Sequence, residues 1–413
     1  MIAFSTFQLE NGLRVVVHED RSSPLVAVNV LYDVGSRDEN PAQTGFAHLF
    51  EHLMFGGSVN IKDFDEPIQN AGGENNAFTN SDITNFYDIV PSQNIEIPFW
   101  LESDRMLNLA FSKKALNTQK KVVVEEFKET TLNEPYGDVW HHLSELIFTT
   151  HPYRWPTIGL VPEHIENAQL SDVKTFFEQH YCPSNAILTV TGNTNEAEVR
   201  TLSEKWFAPI PAGSPAKRNI AQEPPQTELR RKEIMAQVPV DALYMCFRMC
   251  ARAEADFYVG DLLSDVLASG RSCRLYQRLV KDKGIFSSID AYVTGTVDPG
   301  LFVVEGRPHE GISLEAAEAA VWVELEDLMN NLLIDKELEK VKNQMQSAME
   351  FSEGGVLNKA NNLAFYELLG DVNLINTETE IYENISAQDL QRVAKEIFAK
   401  ENCSILYYKK KEE

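Results

Sequence analysis

Short apolar segments near the start of the chain alternate with polar turns, and this pattern predicts β-strands. The segments Leu13 to His18 and Leu25 to Tyr32 are rich in β-branched residues, and Glu19 to Ser23 supplies a polar turn between them. We therefore predict a hairpin within residues 6–33. Two later segments of the same character predict further strands, Thr84 to Val90 and Ala186 to Val190.

A different period follows the predicted hairpin. Apolar residues now recur at intervals of three and four, which is the spacing of one face of a helix. Thr44 is the predicted N-cap of this helix, and Gly56-Gly57 is the predicted stop signal. The apolar stripe consists of Phe46, Leu49, Phe50, Leu53 and Met54.

The same order of elements restarts in the second half of the chain. A predicted strand, Ala242 to Met249, precedes a helix that contains residues 261–270. Residues 261–270 resemble residues 48–57 at an offset of 213, and the predicted helix cap Ser386 resembles Ser171 at an offset of 215. A nearly constant offset of half the chain length indicates an internal repeat.

This repeat predicts two structurally similar domains, 1–210 and 240–413. The segment 211–239 between them is rich in Pro, Gln, Lys and Arg and shows little periodicity, so we predict a linker there. Helices and strands are mixed without strict alternation. The expected fold class is therefore α+β, with a largely antiparallel sheet and packed helices in each domain.

Composition narrows the classes of partner. The chain has 413 residues with 43% hydrophobic content and a formal net charge of −25. Such acidity disfavours nucleic acids and anionic membranes, and no apolar run is long enough for a membrane span. The five cysteines are odd in number and lack a CxxC motif, which argues against a disulfide framework. The first residues do not resemble a signal peptide, so we expect a cytoplasmic protein.

The polar face of the first predicted helix carries the candidate chemistry. His48 and His52 lie four residues apart and share one face, as two ligands of one Zn²⁺ require. Glu51 lies on the same face, where a carboxylate can act as a catalytic base. The order His-x-x-Glu-His is typical of the inverzincin peptidases. The second repeat has Asp261, Ser264 and Asp265 at these positions, so we expect only the first domain to bind metal.

A catalytic zinc needs a third protein ligand and an open position for water. The predicted helix after Ser112 offers two candidates, Glu126 and Glu129, on a face shared with Gln119 and Val122. Spacing alone does not choose between the two glutamates. It also permits the simpler interpretation that both belong to a solvated surface.

Several segments together resemble the pitrilysin/insulysin family of metallopeptidases over nearly the whole chain. They resemble most its half-length branch, which includes the β subunit of the mitochondrial processing peptidase and bacterial relatives. Besides His48 to His52, the matching segments are Asn11 to Val16, Asn76 to Thr79, Thr84 to Tyr87, Val122 to Glu126, His151 to Arg154, Tyr181 to Ala186 and Cys273 to Tyr276.

The resemblance implies a zinc-dependent endopeptidase in which Glu126 is the third ligand, with Glu129 kept as the alternative. It implies that Asn76, Ala77 and Phe78 belong to an edge strand that binds the peptide substrate. A glutamate that supports the metal site usually lies seven residues before the third ligand. This chain has Gln119 there, which alters the charge around the ligands.

A second departure concerns an Arg and a Tyr that peptide-cleaving members carry seven residues apart in the C-terminal half. The matching positions here are Val280 and Ser287. Some members of the branch divide the site between two subunits, so the chain resembles the zinc-bearing subunit of a heterodimer whose homologous partner supplies Arg and Tyr. The alternatives are a homodimer with a divergent site and a non-catalytic structural subunit.

Overall fold

A computed structural model describes residues 1–215 and 217–411. The chain forms two compact units, and each takes a segment from the opposite half of the sequence. The first unit comprises Met1–Thr130, Trp155–Ala221 and Glu350–Asn376, and the second comprises Thr131–Arg154, Gln222–Met349 and Thr377–Glu413. The contiguous boundaries predicted from the sequence do not capture this exchange of segments.

Within the described ranges, the first unit contains a six-stranded sheet in the order β1-β2-β6-β3-β5-β4. Its strands are β1 (Ser5–Gln8), β2 (Arg14–Glu19), β3 (Leu25–Tyr32), β4 (Glu74–Thr79), β5 (Thr84–Pro91) and β6 (Ala186–Gly192). All neighbours are antiparallel except β2 and β6, which are parallel. The predicted hairpin of β2 and β3 is wrong, because β6 lies between them and β2 forms its hairpin with β1.

The second unit contains a five-stranded sheet in the order β7-β11-β8-β10-β9, again counted over the described residues. Its strands are β7 (Arg230–Ala236), β8 (Ala242–Arg248), β9 (Phe286–Val293), β10 (Leu301–Pro308) and β11 (Cys403–Lys410). Only β7 and β11 are parallel. The predicted linker at 211–239 is therefore wrong for β7. In this edge strand every second residue is exposed and the others are only partly buried, so its polar sequence resembles a linker.

Helices cover both faces of each sheet, which confirms the α+β class. The α-helices are α1 (Phe46–Phe55), α2 (Asp65–Asn70), α3 (Glu96–Asn108), α4 (Lys113–Phe127), α5 (Val139–Ile147), α6 (Pro162–Glu166), α7 (Leu170–His180), α8 (Glu196–Trp206), α9 (Ala255–Ala268), α10 (Leu314–Asn330), α11 (Asp335–Ser352), α12 (Val356–Leu369), α13 (Leu374–Asn384) and α14 (Ala387–Ile397). The predicted cap Ser386 caps α14. The predicted cap Ser171 is wrong, because α7 begins at Leu170 with Gln169 as its N-cap.

Each sheet has one large core on one face and a smaller core under an exchanged helix on the other. In the first unit, α12 from the second half packs Leu363 and Tyr366 against Val16, Leu31 and Ile187 of the sheet. In the second unit, α5 from the first half packs against β8, β10 and β11. Neither half of the sequence therefore covers its own sheet completely. Each sheet needs a helix from the other half of the chain to complete its core.

Two further observations concern the cysteines and the helices. The cysteines at 182, 246, 250, 273 and 403 are all free thiols. Across the described residues, no helix combines the length and apolar character needed to cross a bilayer.

Candidate metal centre

Helix α1 presents its polar face because its apolar face is fully used by the core. The whole predicted stripe from Phe46 to Met54 is buried in the large core of the first unit. The helix ends at Gly56, whose N–H donates to the carbonyl of Leu53, as the stop signal predicted. Burial of one side fixes the rotation of the helix, so His48, Glu51 and His52 must lie on the other side.

The start of α1 differs from the prediction. The N-cap is Gly45, whose φ of 87° is a left-handed conformation that favours glycine, and it makes no side-chain cap. Thr44 is wrong as the N-cap because its hydroxyl accepts the N–H of Leu160 at 2.8 Å and contacts Nδ1 of His164. A substituted Cβ at Gly45 would lie 2.9 Å from the carbonyl oxygen of Ile158, so this turn has no room for a side chain.

A carboxyl group that sequence reasoning missed caps α1 from outside. The two oxygens of Glu39 accept the N–H of Gly45 at 2.9 Å and of Ala47 at 2.8 Å. Burial raises the pKa of Glu39 to about 8, against the lowering effect of these two bonds. Free N–H groups at a helix start need acceptors, so Glu39 anchors the turn that precedes His48. Glu39 lies six residues before Gly45, outside the N-cap and N3 positions from which a helix cap is predicted.

Helix α4 brings the third candidate ligand. The helix follows Ser112, as predicted, and Ser112 is its N-cap, with the hydroxyl accepting the N–H of Ala115. Val123, Val124 and Phe127 are buried, and α4 packs directly against α1. Because these neighbours turn inward, Glu126 projects from the adjoining face, where its side chain is 37% exposed.

The three side chains converge on one point. Nε2 of His48 and Nε2 of His52 lie 3.3 Å apart, and the Glu126 carboxylate lies 3.5 Å from His48 and 3.2 Å from His52. Two ligand atoms bound tetrahedrally to one Zn²⁺ lie about 3.3 Å apart. The donor set and all three separations therefore fit a zinc ion, with a fourth position left for water.

The protonation of His48 and Glu126 also suits a bound cation. Burial lowers the pKa of His48, which favours the neutral imidazole. The hydrogen bond from His52 is the main cause that lowers the pKa of Glu126, which favours the carboxylate. Neutral imidazoles and an ionised carboxylate are the forms that bind metals.

The remaining residues predicted for this site take different places. Glu51 lies on α1 between the two histidines and is partly buried. Gln119 belongs to α4 and lies beside the C-terminal end of α1. Its amide nitrogen is 3.9 Å from the place that a Cβ on Gly56 would occupy. Glu129 is exposed in a π-helical turn, Lys128–Asn133. It does not belong to the group formed by His48, His52 and Glu126. The geometry thus favours Glu126 over Glu129.

The predicted peptide-binding residues lie on an exposed sheet edge beside α1. Strand β4 is the outer strand of its sheet and contacts α1. Asn76 and Phe78 are exposed, Phe78 by 39%, while Ala77 is partly buried. One side of β4 pairs with β5, so the other side of its backbone is directed to the open edge.

The corresponding helix of the second unit has no such centre. Asp261 accepts a hydrogen bond from the hydroxyl of Tyr382 at 2.5 Å, and Ser264 donates to the carbonyl of Asp261. Burial raises the pKa of Asp265 to about 6. Over the described part of the chain, the cluster on α1 and α4 is the one group of histidine, cysteine and acidic side chains close enough to hold a metal ion.

The positions at which the resemblance implies Arg and Tyr are occupied by groups with other tasks. Val280 lies in the π-helical segment Tyr276–Asp282 and packs against the core of the second unit. The hydroxyl of Ser287 donates to the carbonyl of Arg307 at 2.9 Å. The nearby Arg274 and Arg278 are both paired with carboxylates of α10, so neither is a free substitute.

Comparison with protein families gives two adjoining matches. Residues 14–159 match the family Insulinase (Peptidase family M16), and residues 167–345 match the family Peptidase M16 inactive domain. The first match contains His48, His52 and Glu126. The second contains the helix with Asp261 and Asp265, so the division between the two families follows the difference in metal ligands.

Individual relatives agree with this assignment. The chain is 28% identical to the zinc protease PqqE of Helicobacter pylori over 97% of this chain and 91% of that protein. It is 25% identical to a probable mitochondrial-processing peptidase subunit beta of Arabidopsis thaliana over 83% of this chain and 66% of that protein. The crystal structure of a protease from Helicobacter pylori superimposes with a TM-score of 0.93 at 27% identity, covering 99% of this chain and all of that one.

Proposed function

Because the chain belongs to the insulinase family, peptidase family M16, and is a zinc protease, we propose that it cleaves short or unfolded peptides as the zinc-bearing subunit of a dimer. The observation that carries the catalytic part is the convergence of His48, His52 and Glu126, whose ligand atoms lie as far apart as the ligands of one zinc ion do. The observation that carries the dimer is the occupation of the Arg and Tyr positions by Val280 and Ser287.

His48, His52 and Glu126 would hold the metal. A zinc ion bound there supplies Lewis acidity, which lowers the pKa of water and polarises the scissile carbonyl. The buried stripe of α1 and the packing of α4 hold the three ligands in place before substrate arrives, so little reorganisation is needed on binding.

Glu51 is the proposed proton carrier. It lies on the same helix face as the two histidines. Its negative charge contributes to raising the pKa of the Tyr181 hydroxyl and partly offsets the lowering of the His48 pKa by burial. A carboxylate at this place accepts a proton from the attacking water and then delivers it to the leaving amine. The ligand carboxylate comes from a different helix, so Glu51 remains free for this task.

Strand β4 is the proposed substrate platform. A peptide that adds to an open sheet edge is held mainly by backbone hydrogen bonds, and side-chain pockets contribute selectivity. Only an extended segment without its own strand partners can pair in this way. This requirement favours short or unfolded substrates over folded proteins and agrees with the contact between β4 and the metal-bearing helix.

A second chain is needed in this proposal because no free arginine or tyrosine occupies the matching segment. Val280 is committed to apolar packing and Ser287 to a backbone carbonyl. The preferred partner is a homologous subunit that carries both residues. A second copy of this chain lacks them at the same positions, so a homodimer would need other groups for the task.

The experiment is to purify the chain alone and together with a homologous chain from the same genome, and to assay an unstructured fluorogenic peptide. We expect cleavage only by the mixture, and we expect a zinc chelator to abolish it. Full chelator-sensitive activity of this chain as a monomer would contradict the divided site. The same activity from a dimer of this chain alone would favour the homodimer.

A further inference from the structure

One backbone group on the proposed peptide-binding edge is already occupied. Asn80 donates its N–H to the carbonyl of Ile83 at the turn between β4 and β5, which fixes the phase of the ladder. Antiparallel pairs alternate between hydrogen-bonded and non-hydrogen-bonded positions. Three residues before Asn80, the pair Ala77 and Phe86 is therefore non-hydrogen-bonded, and the N–H of Ala77 is directed to the open edge.

That outward N–H is capped by a neighbouring side chain. Oδ1 of Asn76 accepts the N–H of Ala77 at 2.8 Å. This is the donor that a peptide carbonyl would use when an extended segment pairs with β4 at Ala77. Asn76 is exposed, so its side chain has room to rotate away.

The outer strand of the second sheet repeats the arrangement. Strand β9 carries Asp290 and Ala291, which lie 214 residues after Asn76 and Ala77, between the two repeat offsets of 213 and 215. Oδ1 of Asp290 accepts the N–H of Ala291 at 2.8 Å. At the turn between β9 and β10, Thr294 donates its N–H to the carbonyl of Leu301. The pair Ala291 and Val304 is therefore again non-hydrogen-bonded, and the N–H of Ala291 is also directed to the open edge.

The two caps differ in one chemically important way. A carboxylate holds an N–H about twice as strongly as a neutral amide does. The edge beside the metal-bearing helix therefore has the weaker cap, and the edge of the unit without metal ligands has the stronger one. An unpaired edge is a template for unwanted strand pairing, and capping its donors suppresses this.

We propose that Asn76 is a removable cap of the peptide-binding edge. Its side-chain carbonyl holds the N–H of Ala77 in the free enzyme and releases it when the carbonyl of an extended peptide takes its place. Asn76 thus selects for segments that can offer a free backbone carbonyl. Asp290 keeps the second edge closed. This inference rests on the proposed role of β4 in peptide binding.

The kinetic test compares three variants in the preparation that cleaves an uncharged, unstructured peptide. Asn76→Asp strengthens the cap and is expected to raise KM roughly tenfold, also at high salt, where general charge effects are screened. Asn76→Ala removes the cap that substrate must displace, so KM should fall. Asp290→Asn is the matched exchange on the other edge and should leave KM unchanged.

An increase in KM with Asn76→Ala equal to that with Asn76→Asp would overturn the proposal, because Asn76 would then be a simple peptide contact. An increase with Asp290→Asn would contradict the separation of the two edges. Retention of the normal KM by Asn76→Asp would show that no cap has to be released.

Amide hydrogen exchange tests the cap without any activity. In the free protein, the amide of Ala77 should exchange several-fold more slowly than those of Asn75 and Thr79, and Asn76→Ala should remove this difference. Equal exchange at all three positions in the unaltered protein would overturn the cap. If no preparation cleaves peptide, the proposed function fails, while the exchange experiment still decides whether the cap exists.

Discussion

Replacing Glu51 by glutamine is expected to lower kcat by about 10²–10⁴-fold while zinc stays bound. Glutamine preserves the size and polarity of the side chain but cannot take a proton from water. The three proposed ligands remain, because Glu51 is not a member of the group formed by His48, His52 and Glu126. Steady-state cleavage of an unstructured peptide, combined with metal analysis of the same sample, measures both effects.

The matched control is Glu125→Gln. Glu125 is exposed on α4 and forms a surface ion pair with Lys128, so replacing it should affect neither cleavage nor metal content. Normal turnover by the Glu51→Gln protein would remove the proposed base. Loss of zinc from that protein would instead assign Glu51 a structural part in the metal site.

A fragment that ends at residue 210 is expected not to fold by itself. In the whole chain, α12 covers one face of the first sheet, and Leu363 and Tyr366 pack against Val16, Leu31 and Ile187. Each large apolar side chain that loses its cover forfeits about 1.5–3 kcal/mol. A handful of such losses equals the whole stability of a typical domain, about 5–15 kcal/mol.

Polar contacts add to the loss, because the covered face is not purely apolar. Asn85 donates its side-chain N–H to Asn29 at 2.7 Å and to Asn361 of α12 at 3.2 Å. Lys359 of α12 pairs with Asp20 at 2.6 Å, and this partner holds the pKa of Asp20 well below its usual range. Without α12, the buried amides lose part of their network, and exposure to water does not restore the packing.

Near-ultraviolet circular dichroism and binding of a hydrophobic dye test the fragment. We expect weak tertiary signal and strong dye binding from 1–210 alone, and recovery of both native signals when it is co-expressed with 211–413. In the whole chain, Leu363→Ala should lower the free energy of unfolding by about 2–5 kcal/mol. Leu332 is exposed, so Leu332→Ala should change it little. A cooperative unfolding transition of the isolated fragment would contradict the exchanged arrangement.

The parts of this structure that the sequence predicted are those encoded locally. The stripe from Phe46 to Met54 determines both the existence of α1 and the side that carries the histidines, because periodicity acts within one helix. The stop at Gly56 follows from neighbouring residues in the same way. The internal repeat of the two halves predicts the α+β class with two similar sheets.

The errors arise where contacts outside the local sequence pattern determine the structure. Thr44 has the chemistry of a helix cap, but Glu39 caps the helix and Thr44 bonds to Leu160 instead. Strands β2 and β3 have the sequence pattern of a hairpin. They do not pair because β6, which comes much later in the chain, lies between them in the sheet. Spacing placed Glu126 and Glu129 on one face, and the packing of α4 on α1 was needed to distinguish them. The exchanged helices α5 and α12 leave no local signal at all.

The most direct test of the account is zinc stoichiometry after purification from zinc-replete cells. We expect about one zinc per chain in the unaltered protein and in Glu129→Ala, and a large loss of zinc in His48→Ala, His52→Ala and Glu126→Ala. Thermal unfolding of each variant without metal controls for general misfolding. The account is contradicted if the unaltered chain holds no zinc, or if Glu126→Ala keeps the metal and Glu129→Ala loses it.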